Sequence, residues 1–219
     1  MLLDCRIIRE CRIYAKQYPP GKEVLALRVI SGSAKGRRLK TLVGNHTRPT
    51  SDRVRESLFN ILGQDLCGIR FMDLFAGSGA VGVEALSRGA SICVFVDAYV
   101  EACRVIRANL MATRLYTNAE VHCREVISAI EIAARKGRLF DCVFMDPPYD
   151  KGLLRRALER VSEGRILSED AVVVVEHSKR EPLPAVQGVC HRFRIQAYGD
   201  TMLSFYERAR LNETPEETR

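Results

Sequence analysis

The sequence predicts an α/β fold in which helices cover both faces of a mostly parallel, doubly wound sheet. From residue 70 onward, short apolar runs alternate with segments of helical periodicity, which is the pattern of consecutive βαβ units. A glycine-rich turn joins the first apolar run to the first helical segment, as at the switch point of an open α/β sheet. The last two apolar runs are so close together that they are expected to pair antiparallel.

The segment before residue 70 is predicted to form a hairpin followed by a helix. Two short apolar runs, ALRVISG and GRRLKTL, flank a turn at Ser33–Lys35. A helix is expected over about 52–62, because its apolar residues recur at helical spacing. Thr50 or Ser51 can cap the first turn of this helix.

Beyond residue 70, the predicted strands and helices follow one another in regular alternation. The two final strands, HRFRIQAYG and TMLSFYERA, are expected to form an antiparallel pair at the sheet edge. The strands before them are expected at RFMDLF, SICVFVD, AEVHC, LFDCVFMD and AVVVVEH. The helices between them are expected at GAVGVEALSRG, AYVEACRVIRANLM, residues 125–135 and GLLRRALERVSE.

A chain of 219 residues fits one large domain better than two. We expect this domain at 27–208, with the hairpin and helix in 27–62. A basic extension is expected at 1–26 and a disordered tail at 209–219. No apolar run is long enough to cross a bilayer, and the N-terminal residues are too charged for a signal peptide. A cytoplasmic protein that does not contact membranes is therefore expected.

The eight cysteines have neither the spacing of a zinc site nor a C-x-x-C pair. Several of them, such as Cys93 and Cys142, lie inside apolar runs. We therefore expect reduced thiols in the core and no bound metal.

Basic residues are concentrated at the start of the chain. The formal charge is +7, and residues 1–60 alone contain thirteen Lys and Arg against five acids. A basic segment joined to a nearly neutral body favours a polyanionic partner such as nucleic acid. A solubilising surface is the alternative, and charge alone does not separate the two.

The glycine-rich loop after the first strand is expected to bind a nucleoside cofactor. Gly77 and Gly79 allow a tight turn, and the helix that follows presents backbone N–H groups to a ligand. Asp73 can accept a cationic amine, which favours S-adenosylmethionine (AdoMet) over a nicotinamide dinucleotide. Asp97 ends the second strand, where a carboxylate can accept hydrogen bonds from ribose hydroxyls. The alternative for Asp97 is a helix cap.

The Asp-Pro-Pro-Tyr segment is the most informative motif. Asp146 follows an apolar strand, and Pro147 and Pro148 stiffen the loop behind it. The carboxylate and a neighbouring carbonyl can accept both hydrogens of an aromatic amine, which aims the nitrogen lone pair at a methyl donor. Tyr149 can stack on the target base. An ordinary proline-rich turn is the alternative.

Together with RVISGSAKGRRL, RPTSDRVRESLFNIL, FMDLFAGSGAVGVEALSRGA and YGDTMLSFYE, these motifs resemble the bacterial 16S rRNA guanine-N2 methyltransferase family (RsmD-like) over roughly residues 27–208. This family belongs to the class I AdoMet-dependent methyltransferases. The resemblance implies a Rossmann-like, seven-stranded sheet whose last strand is antiparallel. It also implies methylation of a guanine of 16S rRNA, with guanine 966 as the expected position and with naked rRNA and an assembling 30S subunit as the two candidate substrates.

The resemblance also implies roles for individual residues. Asp146, Pro147, Pro148 and Tyr149 would hold the target base. Arg37, Arg38, Arg48 and Arg53 are candidates for contacts with RNA phosphates, the alternative being a solvated surface or pairing with Asp52 and Glu56. The cofactor is expected to contact Asp73, Phe75, Gly77, Gly79, Asp97 and Glu125.

Two departures from the family pattern affect the expected cofactor site. The family often has Glu where this chain has Asp97, and Gly-Asp where it has Arg124–Glu125. Two rival functions stay open at this point. One is adenine-N6 methylation of DNA or RNA, because the Asp-Pro-Pro-Tyr motif serves either base. The other is a catalytically inactive RNA-binding or assembly protein.

Overall fold

The computed structural model describes residues 27–42, 52–148 and 152–209. Eight strands and five α-helices lie within these ranges, together with a short 3-10 helix at Tyr116–Asn118. The α-helices are α1 (Asp52–Leu62), α2 (Ala80–Ser87), α3 (Val100–Thr113), α4 (Val126–Arg135) and α5 (Leu153–Ser162). The strands are β1 (Arg70–Leu74), β2 (Ile92–Asp97), β3 (Ala119–Cys123), β4 (Phe140–Met145), β5 (Leu167–Ser178), β6 (Val186–Gln187), β7 (Cys190–Tyr198) and β8 (Thr201–Arg208).

All eight strands form one sheet in the order β3-β2-β1-β4-β5-β8-β7-β6. The first five strands are parallel, and the chain reverses its direction of winding between β3 and β4, so β1 and β4 are neighbours at the switch point. Strands β6, β7 and β8 add antiparallel pairings beyond β5. The predicted doubly wound α/β class is confirmed.

Two details of the predicted sheet are corrected. Eight strands are present instead of seven, because Gly188 adopts a φ of 55° and lets the two-residue β6 turn back onto β7. The predicted antiparallel pair is present as β7 and β8, but β8 lies between β5 and β7 and is not itself an edge strand. The carboxyl-terminal hairpin therefore extends the sheet on the side of β4 and β5.

Each face of the sheet packs against its own set of helices. One core cluster joins α1, α2 and α3 to side chains such as Phe95, Phe144 and Val174. The other joins α4 and α5 to side chains such as Met145 and Val175 on the opposite face. Successive residues of a strand alternate between the two clusters. The face on which the last residue of each strand lies therefore follows from the residues before it.

The predicted N-terminal hairpin is reduced to one antiparallel bridge between Arg28 and Arg38. Its turn packs on the carboxyl end of α2, where the Ser33 N–H donates to the Ser87 carbonyl oxygen at 2.7 Å. A Cβ at Gly32 would lie 1.8 Å from that oxygen, so this close approach requires glycine. The helix predicted at 52–62 is confirmed as α1, whereas Thr50 and Ser51 lie outside the described residues.

Asn109 of α3 holds the segment that follows this hairpin. Its side-chain amide accepts from Lys40 N at 2.8 Å and donates to the Lys40 carbonyl at 3.0 Å. It also donates to the Ser78 carbonyl of the glycine-rich loop at 2.9 Å. Asn109 is 1% exposed, so one buried amide joins the N-terminal segment to the loop after β1.

A buried cluster of three charged residues joins α1 to α2. Glu84 accepts a hydrogen bond from Arg88 Nε at 2.9 Å and lies 3.8 Å from Arg55 Nε. Its carboxylate also accepts the backbone N–H groups of Ile30 and Ser31. Arg55 is fully buried, and burial lowers the pKa of its guanidinium. Glu84 therefore contacts both arginines and binds the hairpin, while Asp52 supplies a second carboxylate to Arg55 at 3.0 Å.

The cysteine prediction is confirmed only in part. Among the described residues, Cys93, Cys103, Cys142 and Cys190 are buried free thiols, but Cys67 and Cys123 are exposed. The two exposed thiols lie in the loop before β1 and at the end of the edge strand β3, where packing covers one side only. No helix in the described part of the chain is long and apolar enough to cross a membrane.

Candidate active site

A cleft of about 1150 Å³ lies at the carboxyl ends of the parallel strands. Asp73, Asp97, Asp146 and Glu176 line it, each at or near the end of a different strand. Four neighbouring strands thus bring four carboxylates, far apart in sequence, to one side of the sheet. The volume is sufficient for a nucleoside-sized ligand together with a second aromatic group.

The loop after β1 turns sharply into α2. Phe75, Gly77 and Gly79 all have positive φ values, of 61°, 54° and 76°. A Cβ at Gly79 would lie 3.0 Å from the Ile106 side chain, so the helix start also packs closely on α3. Phe75 is a non-glycine residue in the left-handed region, and strain of this kind clusters at ligand-binding sites.

Asp73 lies beneath this loop with 1% of its surface exposed, yet it borders the cleft. Its Oδ2 accepts a 3.0 Å hydrogen bond from the Gly82 backbone N–H. Burial raises the pKa of Asp73 to about 7, and the nearby charge of Asp97 adds to this effect. A cationic group bound in the cleft would offset the desolvation of this carboxylate.

Asp97 connects two loops through its two carboxylate oxygens. Oδ2 accepts from Gly77 N at 2.8 Å, and Oδ1 accepts from Tyr99 N at 2.8 Å. The second bond closes a turn just before α3, whose N-cap is Tyr99, so Asp97 is not the helix cap that was the alternative interpretation. Each carboxylate oxygen retains a further acceptor position for a ligand hydroxyl.

Three of the four remaining predicted cofactor residues line the cleft, namely Phe75, Gly77 and Glu125, whereas Gly79 is not among the lining residues. Glu125 directly precedes α4 as an exposed residue. Tyr99, which the sequence reasoning missed, lines the same end and is 63% exposed. The sequence signal available for Tyr99 was its position two residues after Asp97, the acidic residue that ends β2.

The Asp146–Pro148 segment leaves β4 at the centre of the cleft. The Asp146 N–H lies 3.5 Å from the Leu74 carbonyl, which keeps this segment beside the glycine-rich loop. Asp146, Pro147 and Pro148 all line the cleft, with Pro147 buried and Pro148 exposed. Tyr149, the fourth predicted residue of the motif, lies outside the described residues.

The far wall of the cleft comes from the carboxyl-terminal strands. Glu176 of β5, Gln196 and Tyr198 of β7, and Thr201 of β8 line it. The Tyr198 hydroxyl is hydrogen-bonded to Ser57 Oγ, which ties β7 to α1. Of these residues, only Glu176 had a sequence signal, because it directly follows an apolar run, as Asp146 does.

The predicted RNA-contacting arginines separate into two places. Arg53 lines the cleft on α1, whereas Arg37 donates from Nη1 to the Ala112 carbonyl at the carboxyl end of α3. Neither Arg37 nor Arg38 is among the residues that line the cleft, although Thr41 and Leu42, a few residues later, line it. Arg38 is exposed beside Arg37, and Arg48 lies outside the described residues. The alternative of pairing with Asp52 is not seen for Arg53 among the described contacts, where Asp52 pairs with Arg28 and Arg55.

The family model described as Conserved hypothetical protein 95 matches residues 27–207 of the chain. A Bacillus subtilis protein provisionally named rRNA methyltransferase YlbH is 41% identical over 182 residues, which cover 83% of this chain and 99% of that relative. The chain belongs to this family. The resemblance recognised from the motifs is thereby confirmed.

Further members and structures agree with this assignment. The Ribosomal RNA small subunit methyltransferase D of Escherichia coli is 34% identical over 188 residues, covering 86% of this chain and 93% of the relative. The solved structure of the Escherichia coli protein yhhF, provisionally named a methyltransferase, superposes with a TM-score of 0.74 at 33% identity. That match covers 84% of this chain and 98% of the other, so the two proteins share one fold.

Proposed function

We propose that the chain is an AdoMet-dependent methyltransferase that methylates the exocyclic N2 amine of a guanine in small-subunit rRNA. The observation that carries the proposal is the convergence of Asp73, Asp97 and Asp146 in one cleft. The names of the relatives support rRNA as the substrate class. Guanine 966 of 16S rRNA is the candidate position, and the cytoplasm, where ribosomal subunits assemble, is the expected location.

The residues at the β1 and β2 ends fit AdoMet. Asp97 would hold the ribose hydroxyls, since each of its oxygens has one backbone donor and room for another. Asp73 would face the cationic amino-acid portion of AdoMet, and that positive charge would offset the desolvation cost of the buried carboxylate. Phe75 and Glu125 would border the adenosine. When bound, AdoMet supplies an electrophilic methyl group on a sulfonium.

Asp146 would hold the target amine. Its carboxylate accepts one N–H of that amine, and a carbonyl of the adjacent proline segment accepts the other. These bonds orient the nitrogen lone pair towards the methyl carbon, an effect of positioning. They strengthen as the nitrogen gains positive charge, so Asp146 stabilises the transition state more than the ground state. Asp146 or solvent then accepts the proton that the methylated nitrogen loses.

RNA would reach the cleft past a basic surface. Arg53 lies at the cleft itself and would contact phosphates beside the extruded base. Arg37 and Arg38 would contact phosphates farther along the RNA, because neither residue lines the cleft. Arg48 completes the proposed set. An assembling 30S subunit and naked 16S rRNA are both candidate forms of the substrate.

The test is to incubate the purified protein with labelled AdoMet and small ribosomal subunits or their rRNA from cells that lack the methylation. The RNA is then digested to nucleosides, and the methylated nucleoside is identified by mass. The proposal expects N2-methylguanosine. N6-methyladenosine would favour the first rival function, and AdoMet binding without transfer to any nucleoside would favour the non-enzymatic rival.

A further inference from the structure

A second carboxylate adjoins Asp146 on the neighbouring strand. The parallel register of β4 and β5 pairs Met145 with Val175, so Asp146 and Glu176 are the next positions along. Neighbouring strands lie about 4.8 Å apart. Both residues line the cleft, and the two acids therefore form a pair at its floor.

The two side chains emerge on the same face of the sheet. Phe144 and Val174, two residues earlier in each strand, both belong to the core cluster under α2. Alternation along a strand places Asp146 and Glu176 on that face. The antiparallel partner of Glu176, Leu203, belongs to the same cluster. With only 6% of its surface exposed, Glu176 lies at the bottom of the cleft rather than at its mouth.

An ionised carboxylate in this position accepts hydrogen bonds and cannot donate one, so it favours a ligand edge that presents donors. Guanine presents N1–H directly beside its N2 amine on one edge. Adenine presents a bare N1 acceptor beside its N6 amine. A carboxylate next to the amine site therefore attracts the guanine edge and repels the adenine edge.

We infer that Glu176 accepts the N1–H of the target guanine while Asp146 accepts the adjacent N2 amine, so that this pair of carboxylates selects guanine over adenine. The inference rests on the proposed function and adds the residue that determines base specificity. Sites built to bind a donor reject analogues that lack it by factors of about 10⁴ or more. Smaller factors are expected here because Asp146 binds the amine in either case.

The experiment combines one substitution with one altered base. Wild-type protein first establishes which rRNA guanine it methylates. That guanine is then replaced by 2-aminopurine, which keeps the 2-amine and lacks N1–H, through ligation of a synthetic segment into the rRNA. Methyl transfer to both RNAs is measured with wild type, Glu176→Gln and the matched control Glu169→Gln, an exposed position on the same strand. AdoMet affinity of each variant reports whether its cofactor site is intact.

Wild type and Glu169→Gln should prefer guanine to 2-aminopurine by about 100-fold or more. In Glu176→Gln the side-chain amide can accept from guanine N1–H or donate to the bare N1 of 2-aminopurine, so its preference for guanine should fall below about 10-fold. The contribution of the guanine O6, which 2-aminopurine also lacks, is common to both proteins and cancels in this cycle.

Equal wild-type rates on the two RNAs would overturn the inference without any variant. An unchanged preference for guanine in Glu176→Gln would also overturn it. In each of these outcomes wild type still methylates guanine, so the proposed function stands. If wild type methylates no guanine at all, the proposed function itself fails.

Discussion

Asp97 Oδ2 accepts a 2.8 Å hydrogen bond from the backbone N–H of Gly77, twenty residues earlier in the chain. This bond joins the end of β2 to the loop after β1. Burial raises the pKa of Asp97, while the N–H groups of Tyr99 and Gly77 oppose that shift. The loop is thus held in its binding shape by the residue proposed to bind the ribose.

Replacing Asp97 by Ala should weaken AdoMet binding by about 1.5–3 kcal/mol, the range for hydrogen bonds to a charged group. Both the ribose acceptor and the support of Gly77 are lost. Calorimetry on the folded variant measures the change. Asp97→Asn, which keeps one carbonyl acceptor, should fall between the two proteins. Unchanged affinity in Asp97→Ala would reduce Asp97 to a role in the turn before α3.

Replacing Asp146 by Ala should abolish methyl transfer and leave AdoMet affinity within about tenfold, because this carboxylate orients the amine rather than the cofactor. Asp146→Asn should retain measurable turnover, since its amide oxygen still accepts one hydrogen bond. Single-turnover transfer to rRNA and a separate titration with AdoMet give the two quantities. Near-wild-type turnover in Asp146→Ala would remove this residue from the mechanism.

The protein without cofactor should lose stability as pH rises, through Asp73. Burial raises the pKa of this carboxyl from its ordinary value of 3.8 to about 7 in the fold, so the folded protein holds more protons in that window than the unfolded chain. The free energy of unfolding therefore falls between about pH 4 and pH 7, and the contribution of Asp73 is fully present only below that window. Asp73→Asn lacks this titration and should become more stable than wild type across the window, by on the order of a few kcal/mol.

Urea denaturation at several pH values, without cofactor, measures that difference. Asp73→Asn is a close match in shape and can still accept the Gly82 N–H, so packing changes little. Parallel stability curves for the two proteins would contradict the assigned titration.

Replacing Glu84 by Ala should destabilise the fold by about 3–5 kcal/mol, the usual result of removing one member of a buried charged cluster. Arg55 and Arg88 would then lie buried without their shared carboxylate. Glu101→Ala is the matched control, because its pair with Arg104 is far more exposed and should contribute less than about 1 kcal/mol. Urea midpoints compare the two, and similar losses would show that burial of the cluster is unimportant.

The arginines proposed to contact RNA should differ in whether their replacement changes turnover, RNA affinity or both. Arg53→Ala should lower both turnover and RNA affinity, because Arg53 lines the cleft. Arg37→Ala with Arg38→Ala should weaken RNA binding and reduce the salt dependence of affinity by about one to two units, with turnover at saturating RNA unchanged. Filter binding of rRNA across a salt series provides the measurement. If the double variant keeps both affinity and salt slope, the flank beside α3 does not contact RNA.

The parts of the site that were predictable are those encoded by local chemistry. Gly77 and Gly79 mark a turn that other residues resist, and two prolines end β4 immediately after Asp146, so spacing alone located both motifs. Tyr198 was not predicted because its position depends on how the β7–β8 hairpin folds back against β5. That pairing joins distant segments and leaves no short-range pattern.

Charge was the least informative property of individual residues. Arg53 and Arg55 are two positions apart, yet one lines the cleft and the other is fully buried against Glu84. The amphipathic pattern of α1 marks a buried face but does not reveal that an arginine on it meets a carboxylate from α2. Only the packing of the two helices decides between these outcomes.

The buried amide of Asn109 links two binding events, cofactor uptake and nucleic-acid docking, that would otherwise be independent. Thr41 and Leu42, just beyond its contact with Lys40, form part of the cleft wall. The same amide supports the carbonyl of Ser78. A displacement of either segment breaks hydrogen bonds that water cannot easily replace at that depth. Cofactor uptake and nucleic-acid docking should therefore change each other's affinity by the same factor, with Asn109 as the contact that both events share.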